Sequence, residues 1–245
     1  MEATKIIRDA VIHVALLRQA VTSSPELSRA VSDIKHFQAR RFAGTYFDLL
    51  HTELYKPAAL FFLEELYSEK DYSERDSQFA RIAAALERVF PQQVVQTAVS
   101  LAQLHRLTEE LDLAMAQGWM ANPDTPEIAR YVRAWRAVGR RSDRNAQLEA
   151  VLNIGHELER LTRTRGLHTM LKMMRGPAKM AGLGSLQRFL ESGFDTFAAM
   201  GRRGDGTGHF LATIMARESG LIERLFEASA VACETEIMQI LGQPR

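Results

Sequence analysis

Apolar residues recur three and four positions apart along nearly all of this 245-residue chain, which is the spacing of an amphipathic helix. No stretch alternates apolar and polar residues convincingly, as a half-buried strand does. Prolines and glycines divide the helical pattern at five places: Lys56-Pro57, Phe90-Pro91, Asn122–Pro126, 176–184 and 201–208. We therefore predict an all-α protein of about ten helices, forming a bundle-like single domain or two closely packed helical subdomains. The last predicted helix covers about 209–241.

Polar residues mark three predicted helix starts. Ser24 stands before a proline that suits the first helical position, so it is predicted to cap the second helix. Ser73 and Asp76 have the spacing of a capping box, as do Asp124 and Glu127. In a capping box, each of the two side chains accepts a hydrogen bond from the other residue's backbone N–H.

Charge is divided unevenly along a chain whose net charge is only +1. Residues 44–119 hold twelve acidic and six basic residues, whereas residues 160–203 hold nine basic and two acidic ones. We predict a more acidic helical part over 1–121 and a more basic helical part over 126–245, packed as one unit. The basic part is expected to attract an anionic partner.

The chain carries no sequence signal for export. Its longest apolar stretches are well short of the ~20 residues that a membrane span needs. The first residues form an amphipathic pattern with charges, not the apolar core of a secretory signal. The single cysteine, Cys233, excludes an internal disulfide and a cysteine-based zinc site. We predict a cytoplasmic protein in which Cys233 is a buried small apolar residue.

Several words in the chain are distinctive: AGTYFDLL (43–50), PAALFFLEELY (57–67), DYSERDSQFAR (71–81) and PAKMAGLGSLQRFLE (177–191). Through these words the chain resembles an uncharacterised family of all-helical proteobacterial proteins. The resemblance implies a bacterial and cytoplasmic setting. It implies no activity, cofactor or residue role.

A basic face is the first candidate site. On a helical wheel, arginines share one arc opposite an aromatic face: Arg130, Arg133, Arg136, Arg140, Arg141 and Arg144. Further bases lie among methionines downstream: Lys172, Arg175 and Lys179. We predict that the arginines face outward and that this surface docks an acidic protein or another anionic partner, a peripheral membrane contact being one form of this. The net charge and the lack of a nucleic-acid-binding motif argue against nucleic acid.

An aromatic block is the second candidate site. Tyr46, Phe61, Phe62 and Tyr67 either pack the core where helices meet or line a pocket for an apolar ligand. Two functions follow from these two sites. The first is a non-enzymatic helical protein-interaction module, and the alternative is a helical binding protein or enzyme for an apolar ligand, haem or metal.

Catalytic and metal-binding motifs are missing from the sequence. No histidine follows a glutamate by three positions, the spacing that helical di-iron sites use. His105 and Glu109 stand four apart and can face one way, but a single pair does not make a metal site. There is no Gly-x-Ser-x-Gly nucleophile motif. We therefore predict no catalytic residue, no metal and no cofactor.

Overall fold

The computed structural model describes residues 2–65, 70, 72–202, 204 and 206–243. Within these residues it contains thirteen helices and no strand, so the all-α prediction is confirmed. The helices are α1 (Glu2–Thr22), α2 (Pro25–Thr45), α3 (Phe47–His51), α4 (Lys56–Glu65), α5 (Ser73–Val89), α6 (Gln92–Met120), α7 (Glu127–Val138), α8 (Arg141–Thr162), α9 (Leu167–Met173), α10 (Arg175–Met180), α11 (Gly184–Gly201), α12 (Gly206–Glu227) and α13 (Ala230–Leu241).

The prediction of one helix over 209–241 is wrong, because α12 ends at Glu227 and a separate helix, α13, begins at Ala230. Ser229 caps the new helix, its hydroxyl accepting a hydrogen bond from the backbone N–H of Ala232 at 3.2 Å. The stretch 176–184, predicted as a connector, contains most of the short helix α10. Pro177 is compatible with α10 because an N–H in a first helical turn needs no helical acceptor.

Of the three predicted caps, only Ser24 is confirmed: its hydroxyl accepts from the backbone N–H of Leu27 at 3.3 Å. Both capping boxes are wrong. Helix α5 begins at Ser73 itself with no side-chain cap, and Asp76 turns toward another helix. Helix α7 also has no side-chain cap, and Glu127 pairs with Arg40 instead. In both cases the carboxylate pairs with an arginine from another helix instead of accepting a hydrogen bond from a backbone N–H at the start of its own helix.

The 29-residue helix α6 is the centre of the fold. Helices α1 and α2 pack on it from the first half of the chain, and α7 and α8 pack on it from the second. Helix α12 lies on α8, and α11 lies between α8 and α4. Helix α13 closes the bundle against α7 and α2.

Three cores hold the helices together. The first joins α2, α6, α7, α12 and α13 around Phe37 and Tyr131, whose rings stack 4.3 Å apart. The second joins α2–α4, α8, α11 and α12 around Phe62 and Phe210, and the third joins α1, α5 and α6 around Ile7. The first two cores mix helices from both sides of residues 122–126. The division into an acidic and a basic part stays a prediction.

One contact between helices requires a glycine. Gly44, near the end of α2, faces the backbone of α13, and a methyl group there would overlap the carbonyl oxygen of Ile240. Glycine therefore permits the closest approach of these two helices. Cys233 lies on the same helix α13 and is buried, as predicted.

None of the helices in the described residues is long and apolar enough to cross a bilayer.

Candidate ligand-binding cavity

A cavity of about 320 Å³ lies between α5, α6, α8 and the segment α9–α11. Its walls are mainly aliphatic and aromatic, and include Phe79, Leu86, Leu101, Leu158, Leu186 and Phe189. The space falls in the size range of small-molecule sites, about 300–1,000 Å³. Helix α5 packs on α1 and α11, and has few contacts with α6. This arrangement leaves room for the cavity between α5 and α6.

Helix α6 gives the cavity its chemical gradient. The residues that line it recur three or four apart, so they share one face of the helix: Val94, Ala98, Leu101, His105, Thr108 and Asp112. The first three are apolar and the last three are polar. One end of the cavity is therefore apolar and the other can form hydrogen bonds.

Ion pairs close the polar end, which we define as Arg18, Lys35, Asp76, His105, Glu109 and Asp112. Arg18 donates from Nη1 to Asp76 Oδ2 at 2.8 Å and from Nη2 to Glu109 Oε1 at 3.3 Å. Lys35 Nζ donates to both Glu109 oxygens at 3.1 Å. The polar end thus joins α1, α2, α5 and α6.

His105 is oriented by a carboxylate. Its Nε2 lies 2.9 Å from Asp76 Oδ2 and 3.3 Å from Arg18 Nη2. The ionised Asp76 carboxylate can only accept hydrogen bonds, so Nε2 carries a proton and donates it to Asp76. Arg18 can only donate, so it does not share that proton. A carboxylate that holds one imidazole nitrogen fixes the orientation of the ring.

Two carboxyl groups of the polar end are kept ionised. Burial alone would raise the pKa of Glu109, but Lys35, Arg18 and His105 outweigh it and lower that pKa below its usual value. Burial also acts to raise the pKa of Asp76, and the hydrogen bond from His105 with the charges of Arg18 and Arg75 lowers it overall. Both groups therefore keep fixed negative charges inside the fold.

Asp112 behaves in the opposite way. It is 4% exposed, and its burial raises the pKa of the carboxyl. Lys35 opposes the rise from 4.0 Å, and the neighbouring charge of Glu109 adds to it. Of the polar-end carboxyls, Asp112 is the one whose surroundings favour the protonated form. A perturbed carboxyl in a cavity is a common property of binding sites.

The substitution Asp112→Asn is expected to raise the free energy of unfolding at about pH 7. A carboxyl with a raised folded-state pKa destabilises the fold when ionised, and this cost disappears as pH falls below its usual pKa of 3.8. The gain should therefore shrink as pH is lowered toward about 4. Urea unfolding at both pH values measures it, with the exposed carboxyl in Asp33→Asn as the control. A loss of stability at about pH 7 would contradict the assignment.

A family model described as "Domain of unknown function (DUF8198)" matches residues 17–232. The chain belongs to this family. The predicted resemblance to an uncharacterised family is thereby confirmed. The matched span contains every residue of the polar end, from Arg18 to Asp112. No curated protein and no solved structure matches the chain.

Three of the six arginines on the predicted basic face are engaged inside the molecule. Arg130 donates to the Trp119 carbonyl at 2.7 Å and lies over its ring, while Arg136 donates to the Leu225 carbonyl at 2.9 Å. Arg144 is 6% exposed and lies over the Trp135 ring. The prediction that these three arginines face outward is therefore wrong. A helical wheel gives the arc they share but cannot show that α12 and α13 cover part of it.

The rest of the basic face is more accessible. Arg133 is exposed and donates to the Thr125 hydroxyl, and Arg140 pairs with Asp143 at 2.5 Å and with Glu110 at 3.4 Å. The downstream bases are exposed on α9 and α10: Lys172, Arg175 and Lys179. Within the described residues Lys172 and Lys179 make no ion pair, whereas Arg175 pairs with Glu191 at 2.7 Å.

The predicted aromatic pocket is packed core. Tyr46, Phe61 and Phe62 are buried in the second core, and the Tyr46 hydroxyl donates to Glu218 at 3.0 Å. Phe61 and Phe62 border only a small space of about 50 Å³. Tyr67 lies outside the described residues. The larger cavity lies beside this core. The sequence feature that could have predicted it is the face of α6 that His105 shares with the apolar residues before it.

Histidine, cysteine and carboxylate side chains do not form a metal-binding group of three or more in the described ranges.

Proposed function

We propose that this protein binds an apolar small molecule that carries one polar group. The observation that carries the proposal is the cavity of about 320 Å³, whose apolar walls end at a partly buried cluster of ion pairs. Apolar walls with a few convergent polar groups are the usual composition of small-molecule sites. The apolar body would lie against Leu101 and Phe79, and the polar group would meet His105, Thr108 and Asp112.

Cavity volume supports a ligand larger than a single aromatic ring. A cavity of about 150 Å³ accommodates benzene, and this one has roughly twice that volume. The polar group would be held mainly by hydrogen bonds. Gln147 already donates to the Thr108 hydroxyl at 2.9 Å, so a polar wall continues past α6 onto α8.

The function we propose is binding, in the cytoplasm of a bacterium, and not catalysis. The interaction-module hypothesis is favoured by one observation, the exposed bases on α9 and α10.

Two measurements test the cavity. Native mass spectrometry of the protein purified under mild conditions should show a small molecule retained at one per chain. Titration with the apolar dye N-phenyl-1-naphthylamine should give saturable binding to emptied protein, also at one per chain. The proposal would be overturned if the purified protein retained no small molecule and the dye did not bind saturably.

Filling the cavity should abolish dye binding. In Leu101→Trp the larger ring enters the space, and we expect at least a tenfold loss of dye affinity at a stability cost of about 1–3 kcal/mol. The matched control is Gln103→Trp, which adds the same ring to an exposed position on α6. Circular dichroism confirms that both variants fold. Equal dye affinity in the two variants would place the dye outside the cavity.

A further inference from the structure

The outer surface of α9–α10 combines exposed methionines with lysines. Met173 is 72% exposed and Met180 is 84% exposed, and each directly follows a lysine, Lys172 and Lys179. With Arg165, these residues form what we call the methionine surface. Such side chains normally lie inside a fold, so two of them presented beside lysines indicate a surface that meets something partly apolar.

The sequence segment that carries the methionine surface has charges of one sign only. Residues 160–190 contain seven arginines and lysines and no aspartate or glutamate. Some of these bases are neutralised from outside that range: Arg160 by Glu157, Arg163 by Glu159 and Arg175 by Glu191. In the described part of the chain, Arg165, Lys172 and Lys179 make no ion pair. The methionine surface therefore offers bases that make no ion pair next to apolar side chains.

The same segment has the cavity on its inner side. Leu167, Leu171, Met174 and Ala178 line the cavity from α9 and α10. The two helices are seven and six residues long and pack on α8 and α11. A single layer of helix thus separates the cavity from the methionine surface.

We propose that the methionine surface docks on an anionic lipid bilayer. A bilayer presents anionic head groups directly above an apolar phase, which matches two exposed methionines that each stand beside a lysine. An acidic protein would offer carboxylates to the lysines but little apolar surface for both methionines. The lysines are single point charges, and a charged head-group layer demands no fixed pairing geometry. Docking there would place the cavity one helix away from the phase in which apolar molecules dissolve.

Vesicle flotation with the full-length protein tests the docking. We expect binding to phosphatidylcholine vesicles that contain about a third phosphatidylglycerol, much weaker binding to pure phosphatidylcholine, and release as salt is raised. The double variant Lys172→Gln/Lys179→Gln should bind the anionic vesicles roughly 30-fold more weakly. Met173→Ser/Met180→Ser should also bind at least about fivefold more weakly.

Matched controls separate the methionine surface from net charge and from general apolarity. Lys5→Gln/Lys56→Gln removes the same charge from exposed positions elsewhere, and Met215→Ser/Met238→Ser removes exposed methionines elsewhere. Both controls should bind like the unaltered protein. Equal losses in control and test variants would overturn the proposal, as would capture by a polyglutamate resin without vesicle binding. Docking does not require an occupied cavity, so dye binding without flotation rejects the docking alone, and flotation without dye binding rejects the cavity function alone.

Discussion

Glu109→Gln is expected to lower the free energy of unfolding by about 3–5 kcal/mol at about pH 7. Glu109 is 9% exposed and is the one carboxylate in the described polar end that contacts both Lys35 and Arg18. A glutamine keeps the shape but removes the charge, which leaves two partly buried cations with less compensation. The matched control is Glu110→Gln, the next residue on α6. Its side chain is 23% exposed and pairs with partly exposed bases, so about 1 kcal/mol or less is expected.

The loss in Glu109→Gln should depend on pH in a defined direction. A carboxyl with a lowered folded-state pKa stabilises the fold above its usual pKa of 4.5, and that stability is lost as pH falls through the lower folded-state value. Urea unfolding should therefore show the full difference at about pH 7 and a smaller one below about pH 4. Equal losses in Glu109→Gln and Glu110→Gln, or a difference independent of pH, would show that Glu109 does not hold the polar end together.

Gly44→Ala is expected to cost about 3 kcal/mol, the upper end for an overpacked contact. The added methyl group would overlap the backbone of Ile240, which cannot rotate away as a side chain can, so α13 must move from α2. In an ordinary helix interior the same change gains about 1 kcal/mol. The matched control is Gly201→Ala in α11, where no atom lies within 4 Å of the added carbon and no loss is expected.

Cys233 reports the displacement of α13 directly. Its thiol is buried and donates to the Arg224 carbonyl at 3.1 Å. When α13 moves, the thiol should react with a disulfide reagent faster in Gly44→Ala than in the unaltered protein or in Gly201→Ala. Unchanged reactivity together with unchanged stability would show that the two helices can part at no cost.

Local sequence signals predicted the fold class and only part of the helix boundaries. Helical spacing identified the all-α class, and Ser24 was correctly placed as a cap because its partner is three residues away. The break at Ser229 was missed because it carries neither proline nor glycine. The capping boxes failed because Asp76 and Glu127 bind arginines that are far away in the sequence.

The candidate site was only half visible in the sequence. His105 and Glu109 could be placed on one helical face, since four-residue spacing determines that. Their partners Arg18 and Lys35 come from α1 and α2, 74 to 91 positions away from Glu109. Such pairs depend on how α1, α2 and α6 pack, which a helical period does not encode. The empty volume beside α6 is likewise a property of the packing between helices.

Arg136 also has a consequence for the order in which the chain folds. Its guanidinium donates to the carbonyls of Leu225 and Ala228, 89 and 92 positions later, where α12 ends and its last carbonyls need donors. The turn into α13 is therefore completed by a residue that leaves the ribosome long before the turn is made. Closing so long a loop is slow compared with forming either helix alone. The turn between α12 and α13 is thus expected to form last, by packing against an α7 helix that has already folded.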